Sequence, residues 1–347
     1  MLIAVLYQKN NKALIELLKR TETQAHNSRT RENLDAVIDD LKAFSGSYQF
    51  NMKAYWIAFT VLLLATSALT YWDWSQWQRF QQSTWIILAV GSVLTLVAGI
   101  TAFYPGRLMT KASHALLQRD GLLDNDLSPA VFESRTASNE FQQRFSDFNR
   151  GNYKREIHAL YDGSYSGSEY SFQYQYYHFH YVDERIVTET YTDSKGEVRT
   201  RRKKVYDHYD RYGLILPFGL LRNVAVVGFG LPGAGKATYK PASNRFNKEF
   251  KVVAASELEA AKAMKPTVVI AFEEFFEVLS QMNFEVNDAG DLCLSFADKD
   301  LIATTKDAKI CDYEAFIEAL DGEQEFAKLR TSLDFIHYLM TKLDSNF

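Results

Sequence analysis

The chain has 347 residues, with 39 Lys and Arg against 43 Asp and Glu, for a formal charge of −4. Such a near-balance argues against a dedicated nucleic-acid binder, whose phosphate contacts need a clear basic field. Its two cysteines, Cys293 and Cys311, are too few for a zinc cluster or a disulfide framework, and Cys293 sits in an alternating strand pattern as a small buried apolar residue would.

Taken in chain order, Leu2, Ile3 and Leu6 and then Leu14, Ile15, Leu17 and Leu18 fall at helical spacing. A polar stretch, Thr21–Arg31, is expected to interrupt this helix. Leu34, Val37, Ile38, Leu41 and Phe44 mark a second amphipathic helix that ends toward Gly46. Residues 1–50 thus read as an N-terminal cytoplasmic helical segment. Asp35, Asp39 and Asp40 make it a poor match for anionic lipid.

Two apolar runs follow, Ala54–Trp72 and Trp85–Tyr104, each without a charge and separated by twelve residues. About 20 helical residues cross about 30 Å of hydrocarbon, so each run is long enough to span a bilayer. Together, over residues 54–104, they read as a transmembrane helical hairpin. All five tryptophans lie in or beside it. Trp56, Trp72, Trp85 and Tyr104 are the expected residues of the membrane interface, where one end of an aromatic ring is apolar and the other wet. Two buried helices of a soluble core would not normally carry aromatic residues so consistently at their ends. The loop between the runs holds one base, Arg79, beside Asp73, whereas Lys42, Lys53, Arg107, Lys111 and Arg119 flank the hairpin outside. That bias places both termini in the cytoplasm. The fifty residues before the first run lack the form of a cleaved signal, which makes the hairpin a retained anchor. The bilayer is therefore one expected partner, and nucleic acid is not.

Residues 105–347 are expected to form a cytoplasmic domain. Arg107–Gln118 continues the second helix, and Ser128-Pro129 opens a helical piece with Phe132, Phe141, Phe145 and Phe148. Tyr153–Leu160 leads into a Gly-rich turn at Asp162–Gly167. Tyr170, Phe172, Tyr174 and Tyr176 then alternate with polar residues, the period of a strand. Glu184–Thr192 and Glu197–Tyr206 face each other across the turn Asp193-Ser194-Lys195-Gly196, predicting a protruding polar β-ribbon near 184–206. Tyr212–Leu216, Asn223–Gly228 and Phe250–Ala254 read as buried strands. Ser256-x-x-Glu259 caps a helix that reaches Met264, and Pro266 opens the next, whose apolar face holds Val269, Phe272, Phe276 and Leu279. Phe284–Val286 and Leu292–Phe296 form a hairpin around Asn287–Gly290, Leu301–Thr305 adds a strand, and a helix from Phe326 to Leu343 closes the chain. The order gives an α+β fold, a two-helix transmembrane hairpin followed by a mixed strand/helix cytoplasmic domain.

Several motifs carry potential chemistry. Gly230-Leu-Pro-Gly-Ala-Gly-Lys236-Ala237 has the spacing of a phosphate-binding loop, but Ala237 replaces the hydroxyl that holds Mg²⁺, and Pro241 disfavours a following helix. A Gly/Pro turn is the simpler reading, and no cofactor is expected. His178 and His180 flank Phe179 on one strand, so their imidazoles share a face and can grip a metal. The pair lacks a clear third ligand, and His208, near Asp207 and Asp210, calls for the same caution. Arg199, Arg201, Arg202, Lys203 and Lys204 on the ribbon offer a surface to anionic lipid, or simply keep a strand edge soluble. Glu273 and Glu277 share a helix face and read as its wet side.

Tyr153-Lys-Arg-Glu156, Tyr161-Asp-Gly-Ser-Tyr-Ser-Gly167, Asn247-Lys-Glu-Phe-Lys-Val252, Lys265-Pro266 and Leu292-Cys-Leu-Ser-Phe296, taken with the hairpin, resemble a bacterial membrane-protein family known as domain of unknown function number 3137. The likeness runs from the first apolar run to about Thr305, and the Gly/Pro insertion and the basic ribbon depart from it. It implies a multi-pass inner-membrane protein and carries no catalytic residues across. The expected function is a membrane-anchored scaffold with a protein partner or self-association. The alternatives are a membrane-associated metal-dependent hydrolase built on His178 and His180, and an anionic-lipid-binding module.

Overall fold

The computed structural model describes residues 8–77, 82–192 and 196–344. Leu2, Ile3, Leu6, Arg79 and the turn residues Asp193-Ser194-Lys195 lie outside these. The chain divides into two compact units, Met1–Gly121 with Thr304–Gln324, and Leu122–Ala303 with Glu325–Phe347.

In the first unit, α1 (Lys9–Asn27) continues through the polar stretch expected to break it. Thr21 and Ala25 are buried and extend the stripe of Leu14 and Leu18 at spacings of three and four, so packing overrides the polarity of the neighbours. The break comes at Ser28, before α2 (Arg31–Lys42), whose N-cap Thr30 accepts from the Asn33 amide. The apolar runs lie within longer helices, α3 (Lys53–Trp77) and α4 (Gln82–Asp124). Asp73 is therefore helical rather than part of a twelve-residue loop.

Both helices are long and apolar enough to cross a membrane. Their mean hydropathies are 1.5 and 2.4, and only 0% and 11% of their most apolar windows is buried. A soluble core would hide such helices, whereas here Ile57, Leu64, Ile86, Val93 and Leu96 face outward. Threonines in them donate back to their own helix: Thr66 to the Leu62 carbonyl at 2.8 Å and Thr95 to the Gly91 carbonyl at 2.8 Å. The two helices touch through Gly91 against Thr66, Gly99 against Phe59, and the edge-on rings of Trp56 and Phe103 at 4.7 Å. Small residues permit this approach. Trp56, Trp72, Trp74 and Trp85 are exposed, and Tyr104 is half-buried with the Lys19 ammonium over its ring at 5.7 Å.

Outside the apolar stretches, this unit is polar in its joints. Asp120, fully buried near the end of α4, pairs with Arg31 and with Lys306 at 3.0 Å. Arg119 donates to the carbonyls of Ala25 at 3.0 Å and His26 at 2.7 Å. Helix α9 (Tyr313–Asp321), not anticipated from the sequence, belongs here, with Tyr313 stacked on Tyr48 at 4.6 Å.

The second unit is an eight-stranded antiparallel sheet with helices on its faces. In chain order it contains β1 (Ser128–Pro129), α5 (Ser134–Arg144), a 3₁₀ turn (Ser146–Asn149), β2 (Lys154–Ser166), β3 (Ser171–Thr192), β4 (Val198–Pro217), β5 (Val224–Val227), α6 (Asn244–Glu249) and β6 (Lys251–Ala254). There follow α7 (Glu257–Ala263), α8 (Pro266–Phe275), β7 (Asn283–Val286), β8 (Asp291–Phe296) and α10 (Ala327–Asp344). The strand order is β1-β2-β3-β4-β8-β7-β5-β6.

Four local expectations are corrected. Ser128-Pro129 is a short edge strand, and the helix starts only at Ser134, where Glu133 accepts from the Arg135 and Thr136 amides. Asp162–Ser166 is strand rather than turn, because Gly163 lies flat against the Tyr174 ring where a Cβ would collide at 2.5 Å. The pieces read separately at 170–176 and 184–192 are one strand, and so are 197–206 and 212–216. Leu301–Thr305 is not a strand: Leu301 and Ile302 are buried in a turn, so their apolar signal reported burial and not period.

One sheet face carries the larger core, with Tyr174, Tyr176, Leu214, Phe284, Leu292, Leu294 and Phe296 packed under α6, α7, α8 and α10. The other packs Tyr177, Phe179, Tyr181, Ile215 and Cys293 against Phe141, Phe145 and Phe148 of α5 and the 3₁₀ turn. Cys293 is buried and free, as expected. Ser256 caps α7 by accepting from the Glu259 amide, and Pro266 occupies the first turn of α8.

Candidate functional site: a histidine cluster at the root of the ribbon

Strands β3 and β4 outrun the rest of the sheet. β2 leaves β3 at Val182, and β8 leaves β4 at Tyr212. Beyond these points, β3 and β4 pair only with each other, out to Thr192↔Val198. At about 3.4 Å per residue, the ten residues from Asp183 to Thr192 carry this ribbon roughly 34 Å beyond Val182. Both faces are open: Ile186 is 62% exposed on the even-numbered face and Tyr191 40% on the odd-numbered one.

At the root of the ribbon the register brings His178 opposite Tyr212, His180 opposite Asp210, and Val182 opposite His208. Even-numbered positions of both strands share one face, which is the face of the larger core just past its helical cover. From the other side, β2 contributes His158. The pairing slips between Ile157 and Ala159, so His158 is the extra residue of a bulge, and a bulge of this kind re-aims a side chain. Four of the seven histidines in the chain meet here.

Their rings form a layer across three strands. His180 stacks between His158, at 4.8 Å and 12°, and His208, at 5.3 Å and 26°. His178 meets His158 edge-on at 5.1 Å and stacks on Tyr212 at 4.6 Å. Asp210 is the common anion: its Oδ1 lies 2.8 Å from His178 Nε2 and 2.9 Å from His180 Nδ1. The second nitrogen of His180 sits 3.1 Å from His208 Nδ1. With Nδ1–H donating to Asp210, His180 Nε2 is left to accept from His208 Nδ1–H. Glu156, held by Lys154 at 2.8 Å, stands 3.5 Å from His158 Nε2. Burial keeps the His178 imidazole below its ordinary pKa against the pull of Asp210. Burial pushes the Asp210 carboxyl up, but the contacts from His178 and His180 outweigh it, and the net direction is down. The pair at 178 and 180 thus gains the partners that the sequence did not supply, His158, His208 and Asp210. Asp183 is not among them, since its Oδ1 accepts from the Asn152 amide at 3.1 Å.

The basic run divides. Arg199, Arg201 and Lys204 pair with Glu197, Glu189 and Glu184 at 3.0, 2.9 and 3.0 Å. Arg202 and Lys203 point outward, exposed. Much of the positive charge offered to lipid is therefore balanced on the ribbon itself.

The remaining motifs have structural roles. In the Gly/Pro loop, Arg150 donates to the carbonyls of Phe229, at 3.2 Å, and Gly230. Thr238 runs beside β6, its hydroxyl donating to the Ala254 carbonyl at 3.2 Å, and the next helix starts only at Asn244. Glu273 accepts from the Phe246 amide at 3.2 Å and from the Ser243 hydroxyl, which fixes the start of α6, while Glu277 pairs with Arg245 at 3.3 Å. A cavity of about 910 Å³ lined by Leu220, Tyr239, Pro241, Met264 and Ile270 is mainly apolar.

Sequence reasoning missed a second charged cluster. Arg211 follows Asp210 and so points to the opposite face, where it is only 1% exposed. It donates to Asp147 at 3.3 Å, the Gln281 carbonyl at 2.9 Å and Ser295 at 2.9 Å. Asp147 also accepts from Arg150 at 2.7 Å and Asn283 at 3.3 Å. Burial raises its carboxyl pKa, yet Arg211 and Arg150 more than reverse this. The only sequence signal was a charge at an inward-facing strand position.

No protein-family model, curated protein or solved structure matches the chain.

Proposed function

We propose that this chain is a membrane-anchored scaffold of the bacterial inner membrane, with both termini cytoplasmic, whose β3–β4 ribbon is the arm that engages a protein partner or a second copy. The observation that carries the reading is the ribbon itself. It has two unpaired strand edges and two exposed faces, and it projects from a sheet whose own core is closed by helices. Open edges of this length recruit further strands unless charges prevent it, and here the charges pair along the ribbon while leaving Ile186 and Val198 at the surface. The excess of Lys and Arg outside the hairpin supports the sidedness, and the exposed apolar helices support the anchor.

Photo-crosslinking tests the arm. A photoreactive residue at Ile186, in native membranes, is expected to give a reproducible adduct that is lost when residues 186–204 are replaced by a short turn. The same probe at exposed Ile270 is expected to give none. Equal labelling from both positions, or none from Ile186, overturns the reading. An adduct of twice the chain mass identifies the partner as a second copy.

A further inference from the structure

We propose that the cluster at the ribbon root is a binding site for a divalent first-row transition-metal ion, held by His158, His180 and Asp210 with His178 and His208 beside them. One ligand atom from each of His158, His180 and Asp210 lies within 4.8 Å of the others. The donor set selects the class of ion. Imidazole nitrogens with one carboxylate suit Zn²⁺ and its neighbours, whereas Ca²⁺ and Mg²⁺ prefer all-oxygen shells, and thiolate-seeking ions find no sulfur here.

Three features separate this site from a chance gathering of surface histidines. The ligands come from three adjacent strands, β2, β3 and β4, so the backbone register fixes their relative positions. The central ring, His180, is held by stacking on both sides and by contacts at both ring nitrogens, Nδ1 with Asp210 and Nε2 with His208. Finally, Glu156 faces Nε2 of His158, the carboxylate–histidine arrangement that orients a metal-ligating imidazole and leaves its other nitrogen for the ion.

The fit needs one adjustment. Tetrahedral ligands with bonds of about 2.1 Å lie roughly 3.4 Å apart, so separations of up to 4.8 Å must close by as much as about 1.4 Å. His158 and Asp210 are the exposed members, and side-chain rotation of both supplies this movement. Three protein ligands leave a fourth position to water, and the bound ion ties β2 to β3 and β4 where the ribbon leaves the sheet.

The test uses the full chain in detergent, stripped with a chelator and titrated with Zn²⁺ alone by calorimetry. One ion per chain is expected, with affinity at least tenfold lower in His180→Ala and in Asp210→Asn, and unchanged in His337→Ala, whose ring lies elsewhere against Tyr165. Co²⁺ is expected to give a visible absorption band that His158→Gln alters while the far-UV circular dichroism stays that of the wild type. No saturable Zn²⁺ binding below about 100 μM, or equal affinity in His180→Ala and His337→Ala, overturns the proposal. The crosslinking result stands or falls separately, because it reads the far end of the ribbon.

Discussion

Removing the carboxylate of Asp147 is the sharpest perturbation available to the second unit. Arg211 is fully enclosed and has no water to turn to, so Asp147→Ala leaves its guanidinium with the Gln281 carbonyl, the Ser295 hydroxyl and the face of the Phe229 ring but no carboxylate. Arg150, whose side chain is 10% exposed, loses its carboxylate as well. Breaking a buried pair from one side costs about 3–5 kcal/mol. For a unit of this size that corresponds to a fall in Tm of roughly 6–20 °C. Arg211→Met is expected to cost less, because Asp147 keeps Arg150 at 2.7 Å and Asn283 at 3.3 Å. The double variant Asp147→Ala/Arg211→Met removes the stranded charge along with its partner, so it should be more stable than the sum of the single losses by about 1–3 kcal/mol. Thermal melting of the purified protein in detergent, followed through the β signal in circular dichroism, reads all three. Simple additivity, or an Asp147→Ala loss below about 1 kcal/mol as at a solvent-exposed pair, would refute the reasoning.

Other sites give independent checks. Gly213→Ala places a Cβ 2.5 Å from both the Leu294 carbonyl and the Tyr177 hydroxyl, so a loss of about 1–3 kcal/mol or more is expected in the same melt. Burial raises the pKa of Glu285 above its ordinary value, so the folded state holds the proton more tightly than the unfolded chain. This contribution is therefore fully present below the unfolded pKa of about 4.5 and lost as pH rises through the raised value. Glu285→Gln is expected to flatten that part of the stability profile, and an unchanged profile counts against the assignment. In the hairpin, a Cβ at Gly91 would meet Thr66 Cγ2 at 2.4 Å, so Gly91→Leu should separate the helices. A disulfide between cysteines introduced at Phe59 and Phe103, whose rings lie 6.2 Å apart, reports this as slower oxidative crosslinking in membranes.

Whatever depends on neighbours in the chain was legible from the residues. The two uncharged runs fix two long apolar helices, because crossing hydrocarbon is a matter of length and composition. Alternation at Tyr170–Tyr176, the Ser256 cap, Pro266 and the Asn287–Gly290 turn likewise act through local geometry, and each lies where the sequence places it. The missing hydroxyl at Ala237 already argued against a phosphate loop. Where a burial signal has no period of its own, as at Leu301–Ile302, the same method took a turn for a strand.

Strand register and the sides of the sheet are non-local, and there the sequence alone runs out. His178 and His180 announce a shared face, but only the pairing of β2, β3 and β4 brings His158, His208 and Asp210 to it, from positions 20 to 32 residues away. The bulge after Ile157 that presents His158 leaves no mark in the surrounding residues. Arg211 and Asp147, separated by 64 positions, meet because period two turns Arg211 away from its neighbour Asp210 and into the core. Helix α1 persists through Thr21–Asn27 for a kindred reason, since Thr21 and Ala25 find buried partners in the folded unit. Local spacing decides which elements form; the free energy of contacts between distant segments decides which side chains share a site.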